Sequence, residues 1–172
     1  MSAKMPKGPG AWPAFWLMPA SPTCPYTGGS SYGAWPTGGE IDIAEFGIKD
    51  STERDIVHAI HYGGTGSTGG HKYKSHKHTL PSLTTSSFTE DFHTFSLEWS
   101  ADTLKWFVDG VETYSVSSSE YFTAYSDSFQ APFDRRFYMI INLAIGGVFP
   151  DPPNDLTPWP MEYVIDYIRV YR

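Results

Sequence analysis

An antiparallel β-sandwich is the fold class this sequence predicts, and three observations predict it. Gly (16) and Pro (14) are abundant among 172 residues, so turns are frequent. No long stretch carries the 3.6-residue periodicity of an amphipathic helix. Short segments rich in aromatic and β-branched residues recur between the turn residues, and some alternate cleanly in polarity. The length suits one domain with a proper core, and neither repeats nor a linker divide it. The reading is therefore a single domain over residues 1–172.

The first strand is "WPAFWLMP" (12–19), aromatic and closed by Pro19. A Pro/Gly/Ser-rich loop (20–39) then delivers Trp35 just ahead of "GGEIDIAEFG" (38–47), an apolar run with three acids that also reads as a strand. "RDIVHAIHYGG" (54–64) is a strand ended by glycines, and residues 63–90 read as a long polar loop. "FHTFSLEWS" (92–100) puts His93, Phe95, Leu97 and Trp99 on one face. "TLKWFVDGVETYSV" (103–116) is a hairpin around Asp109-Gly110, a strong short-range turn signal. Residues 116–132 have room for one helical turn. "RRFYMIINLAIGG" (135–147) is apolar on both faces and reads as a central strand. After a loop, "MEYVIDYIRVYR" closes the chain as a strand. That makes seven or eight strands.

A net charge of −7 leaves no basic surface with which to displace the counterions of a nucleic acid. No apolar run approaches membrane-spanning length, and "MSAKMPKGPG" has no apolar signal core. Cys24 is alone, so no internal disulfide is expected. Aromatics reach 16%. Such rings serve as core mass, and they also stack on the apolar faces of sugars.

The acids are the informative feature. In a regular strand Glu40 and Asp42 share one face and Glu45 takes the other. The apolar set slips at the same place: Ile41 and Ile43 are followed by Phe46, not by an apolar residue at 45. One extra residue, a β-bulge, explains both slips. With Ala44 as that residue, Glu40, Asp42 and Glu45 face one side, and Ile41, Ile43 and Phe46 the other. Two carboxyls over one cleft are the minimum equipment for breaking a glycosidic bond: one protonates the departing oxygen while the other attacks or activates water. The α-carbons of Glu40 and Glu45 would stand about 13 Å apart, a gap that two long side chains can narrow. Asp42 between them would keep its neighbours in different protonation states. The same spacing also suits a hard-cation site such as one for Ca²⁺, or a solvated strand face.

"WPAFWLMP", "WPTGGEIDIAEFG", "IHYGG", "WFVDG", "INLAIGG" and "YVIDYIRVYR" occur in that order. Together they resemble glycoside hydrolase family 16, endo-glycosidases with a concanavalin-like β-jelly roll, and the match runs over nearly the whole chain. The E-x-D-x-x-E spacing resembles the laminarinase-type members. The resemblance implies Glu40 as nucleophile, Asp42 as its electrostatic helper and Glu45 as acid/base. It implies substrate contacts from Trp35, which matches an aromatic stacking on a glucosyl ring, from His61 near the acid/base and from Trp16 on the cleft floor. Trp106 and Asn142 match further substrate-side positions, with a structural role the favoured reading for both. No cofactor is required. Asp166 matches an aspartate of the family's structural calcium site, whose other ligands come from an N-terminal region this chain lacks, so only a remnant of that site is expected. The chain starts almost at "PKGPGAWPAFW", so a truncated or pared-down sandwich missing some N-terminal strands is also expected. Phe149 stands where the family often shows Trp.

The implied function is retaining hydrolysis of internal bonds in β-1,3-glucan (laminarin) or mixed-linked β-1,3/1,4-glucan. The alternatives are a non-catalytic β-glucan-binding module and a galactan (agarose or carrageenan) hydrolase. The resemblance further implies a polysaccharide partner, a monomer, and an extracellular or cell-wall location. "HKYKSHKH" (71–78) reads as a solvated basic run, with transition-metal chelation or contact with an anionic polysaccharide as its other readings.

Overall fold

The structure is a computed structural model and describes residues 1–20, 30–47, 53–81 and 86–172. Cys24 and part of the 20–39 loop lie outside the described residues. Ten strands stand among those described: β1 (Ser2–Lys4), β2 (Ala11–Pro19), β3 (Glu40–Glu45), β4 (Asp55–Gly63), β5 (His71–Thr79), β6 (His93–Trp99), β7 (Thr103–Val108), β8 (Val111–Ser117), β9 (Phe137–Ile145) and β10 (Val164–Tyr167). They form two sheets of five antiparallel strands, ordered β5-β4-β3-β2-β9 and β10-β1-β6-β7-β8. This is the predicted sandwich. The first of them, the carboxylate sheet, holds all three acids in its central strand.

Between the sheets lies one apolar core built on Phe15, Ile41, Phe46, Ile60, Phe95, Leu104 and Trp106, all buried. Strands β2, β3, β4, β6 and β7 supply alternate residues to it away from the bulge, as the period of two requires. The β7–β8 hairpin turns at Asp109 and Gly110, both with positive φ (51° and 78°). That is the geometry of a type I′ turn, which matches the right-handed twist of the flanking strands. A short 3₁₀ turn, Ser118–Glu120, falls in the stretch with room for a helical turn.

Three strand expectations need correction. Residues 71–79 are not loop but β5, the edge strand of the carboxylate sheet, and its side chains are exposed or half-exposed. An edge strand whose inward residues are only half-buried needs no apolar pattern, and its lysines discourage pairing with another chain. Ser2–Lys4 forms β1, which sits inside the facing sheet between β10 and β6. Three residues are too few to show a period, and the Met1 ammonium donating to Phe95 O at 2.9 Å helps to anchor them. Finally, β9 is an edge strand: it pairs only with β2 among the described residues, leaving Met139 and Ile145 exposed. On that side a cavity of about 1150 Å³ opens between the sheets, lined by Phe15, Leu17, Phe95, Leu97, Phe137 and Met139.

Candidate active site

The bulge is present. Against β4, Asp42 pairs with Ala59 and Glu45 with Val57, so Ile43 and Ala44 together face His58. Against β2, Ala44 pairs with Phe15 and Asp42 with Trp16, which leaves Ile43 as the residue without a partner. The extra position is thus Ile43 rather than Ala44. Both side chains are buried, so the pattern of apolar residues alone cannot tell which of the two is skipped. Beyond the bulge Glu45 rejoins the face of Glu40 and Asp42, while Ile41, Ile43 and Phe46 go to the core.

Each acid has its own neighbours. The Trp35 indole N–H donates to Oε2 of Glu40 at 2.6 Å, and the Trp12 indole N–H donates to Oε1 of Glu45 at 3.0 Å. Asp42 is almost fully buried. Its Oδ2 lies 3.2 Å from Nε2 of His61, yet the pair is out of line for a hydrogen bond and Oδ2 has no hydrogen-bond partner. The carboxyls of Glu40 and Asp42 lie side by side, with oxygens within 4.8 Å of each other, close enough to hold one proton between them.

Burial, with the Asp42 charge beside it, pushes Glu40 up to about 7. Burial, then the Glu45 charge, holds Asp42 well above the carboxylate range. Burial also raises Glu45, an effect that the Trp12 hydrogen bond opposes. The shared proton belongs on Asp42. Asp42 is the more buried and has an orphan oxygen, whereas Glu40 has an indole donor to stabilise its anion. The site therefore holds one anionic and one protonated carboxyl side by side, with a third, Glu45, whose pKa burial raises.

Around the acids, Nδ1 of His61 lies 2.8 Å from Nε2 of His71, and Trp35, His61, His71 and Tyr73 cluster with ring centroids 4.7–6.0 Å apart. Trp16 and Asn142 share the face with the acids, the indole N–H donating to Oδ1 of Asn142 at 2.8 Å. Beside Glu45 a cavity of about 300 Å³ is lined by Asp55, Lys77 and Phe149, among others. Phe149 packs on Trp12 and against Gly47, where a Cβ would come within 2.6 Å of its ring.

Trp106 is corrected. Fully buried between the sheets, it cannot meet a substrate, and its indole N–H donates to the backbone carbonyl of Asp42 at 2.9 Å. Asp166 stands exposed on β10 in the facing sheet, and among the described residues it joins no cluster of carboxylates or imidazoles that would hold calcium. The cluster that could hold a cation is Glu40, Asp42 and His61, whose ligand atoms lie within 4.8 Å of one another. Sequence reasoning missed Trp12 and His71. Trp12 was within reach, since alternation in "AWPAFWLMP" places it on the face of Trp16. His71 was not, because nothing local marks residues 71–79 as a strand.

His58, also missed, is a buried imidazole whose pKa burial lowers to about 4 from an ordinary 6.5; His76 and His78 on β5 add to the effect. Between these values the unfolded chain binds a proton that the folded chain refuses. Stability is therefore lost as pH falls from 6.5 through 4, by about 3 kcal/mol in all. His58→Asn removes the titrating ring, so denaturant unfolding should show the balance between variant and wild type shifting by that amount toward the variant as pH falls from 7 to 4.

Comparison with known proteins bears directly on this geometry. Residues 1–155 match the pattern of Glycosyl hydrolases family 16. The chain belongs to that family. It is 36% identical over 177 residues to glucan endo-1,3-beta-glucosidase A1 of Niallia circulans, covering 99% of this chain and 23% of that protein. Among solved structures, the laminarinase catalytic domain of Thermotoga maritima superimposes with a TM-score of 0.71 at 32% identity, over 93% of this chain and 57% of that one. The endo-beta-1,3-glucanase of Pyrococcus furiosus gives a TM-score of 0.70 at 35% identity, over 94% and 56%. The chain thus spans under three fifths of the length of each of these relatives.

Proposed function

We propose that this chain is a retaining endo-β-glucanase acting on internal bonds of β-1,3-glucan, or of mixed-linked β-1,3/1,4-glucan. One observation carries the reading: the bulge at Ile43 turns Glu45 into the face that already holds Glu40 and Asp42. The relatives named for β-1,3-glucan hydrolysis support the substrate class.

In the first step the Glu40 carboxylate attacks the anomeric carbon, and Glu45 gives its proton to the departing glycosidic oxygen. A glycosyl ester of Glu40 forms and the reducing-side glucan leaves. Esterification removes the negative charge of Glu40, so the proton shared with Asp42 stays on Asp42. Glu45, now anionic, takes a proton from water, and the water oxygen attacks the anomeric carbon from the other face. This releases a β-anomer, regenerates Glu40 and returns the proton to Glu45. Trp35 and Trp16 offer ring faces to the sugars on either side of the acids. The same reading makes a polysaccharide the partner of a monomer working in the extracellular or cell-wall space, with no cofactor in the chemistry.

The test is laminarin hydrolysis by the purified chain, followed by reducing-end release and early-time proton NMR over a panel of glucans and galactans. The expected product is the β-anomer. Binding without cleavage would make the chain a glucan-binding module, and an α-anomer would exclude double displacement.

A further inference from the structure

We propose that His58 is a positioning residue for Glu45, acting as a strut between two bulges that face each other across the core; the inference rests on the acid/base reading of Glu45. The first bulge is the one in β3, where His58 is the single β4 residue opposite Ile43 and Ala44. A bulge leaves local backbone groups without ladder partners. The carbonyl of Ile43 finds its partner in the imidazole, whose Nδ1 lies 2.7 Å from that oxygen. A carbonyl can only accept, so Nδ1 carries the ring proton and Nε2 the lone pair.

The second bulge is in β8. There Trp106 pairs with Tyr114 and Phe107 with Glu112, which leaves Thr113 as the extra residue of the facing sheet. Its hydroxyl lies 2.9 Å from Nε2 of His58 and 3.2 Å from the carbonyl of Trp106. The Trp106 indole N–H in turn donates to the carbonyl of Asp42, next to Ile43. The single hydroxyl proton of Thr113 goes to Nε2, so the Trp106 carbonyl is a close neighbour and not a second acceptor, and the result is an arrangement of two links, Thr113–His58–Ile43 and Trp106–Asp42. It grips the carboxylate strand at two consecutive carbonyls from the core side.

None of these three side chains reaches the cleft face. What they fix is the backbone two residues ahead of Glu45, and so the direction in which its carboxyl leaves the strand. Strand bulges depend on local support, because a one-residue slip of register sends the following side chain to the opposite face. An imidazole suits the task where an aliphatic residue would not: it offers a donor to one bulge and an acceptor to the other.

The experiment compares wild type, His58→Leu and His58→Asn on laminarin and on an aryl β-glucan oligosaccharide with a good leaving group. Departure of that leaving group needs no acid, so the first step survives a misplaced Glu45. In His58→Leu the kcat on laminarin should fall on the order of 10- to 100-fold, as for a small misplacement of a reacting group. The KM should stay within about twofold, and the pre-steady-state burst on the aryl substrate should remain. His58→Asn places an amide N–H near the Nδ1 position and should recover most of the lost kcat.

A His58→Leu enzyme with wild-type kcat overturns the proposal. So does a loss of the laminarin rate and the aryl burst in proportion, with no rescue by Asn, since that is the signature of damage to the whole fold. If His58→Leu does not fold, Thr113→Val removes the far end of the strut, and the same split between kcat and KM decides. A wild-type protein that cleaves neither substrate would refute the hydrolase reading itself, an outcome distinct from failure of the strut.

Discussion

Glu40→Ala should abolish laminarin hydrolysis under the proposed function, with the rate falling on the order of 10⁴-fold or more, as expected when a covalent nucleophile is removed. The size follows from the role. Without Glu40 there is no group to form the glycosyl ester, and the remaining acids can only protonate a leaving group that nothing displaces. The fold should tolerate the change. Glu40 is a partly buried carboxyl with its pKa pushed up to about 7, which marks a site unfavourable to its charge. Its loss should leave the unfolding midpoint within a few degrees of wild type, by thermal denaturation at neutral pH. A small anion then supplies a second readout. Azide entering the space left by the side chain should attack an activated β-glucosyl donor from the vacated face and yield the α-glycosyl azide. An inactive variant with no azide product would place the nucleophile elsewhere.

The bulge could be read from the sequence because it disturbed two patterns at once, acids and apolar residues, in a strand buried on one face. Its position within the pair Ile43–Ala44 could not be read, since a residue's ladder partner depends on the neighbouring strands and both side chains go inward. The same logic separates the other elements. β6 alternates because one face packs on the core and the other meets water, so it announced itself. β5 lends no residue to the apolar core, and its sequence of Lys, His, Tyr, Ser and Thr carries no period that distinguishes it from loop. β9 is apolar on both faces, which suggests flanking strands, but lies at an edge among the described residues, because strand order is set by long-range pairing that composition does not encode. In the site, the three acids were legible from spacing and Trp35 from the family resemblance. The Trp12 contact to Glu45 and the His58 strut were not, because each joins residues far apart in sequence, at separations of 33 and 55 positions.

Glu45→Gln separates the two steps that Glu40→Ala stops together. On laminarin kcat should fall about 10²- to 10⁴-fold, the usual contribution of a positioned general acid. On an aryl substrate with a good leaving group Glu40 still attacks and the aryl alcohol departs unaided. Water then lacks its base, so the glycosyl ester accumulates and appears as a burst of one aryl group per enzyme, with an added glycosyl mass on the protein. The pH profile gives the sign of the assignment. In wild type, activity on the acid side requires the Glu40–Asp42 pair to be down to one proton, so kcat/KM is lost as pH falls and the pair takes up its second. On the alkaline side activity requires Glu45 to hold its proton, so it is lost as pH rises through the raised pKa of that group. Glutamine cannot titrate: the alkaline limb should vanish from the residual laminarin rate of the variant while the acid limb stays. If instead the alkaline limb survives in Glu45→Gln, the proton donor is another group on that face, and the bulge has turned Glu45 toward the substrate for binding rather than for chemistry.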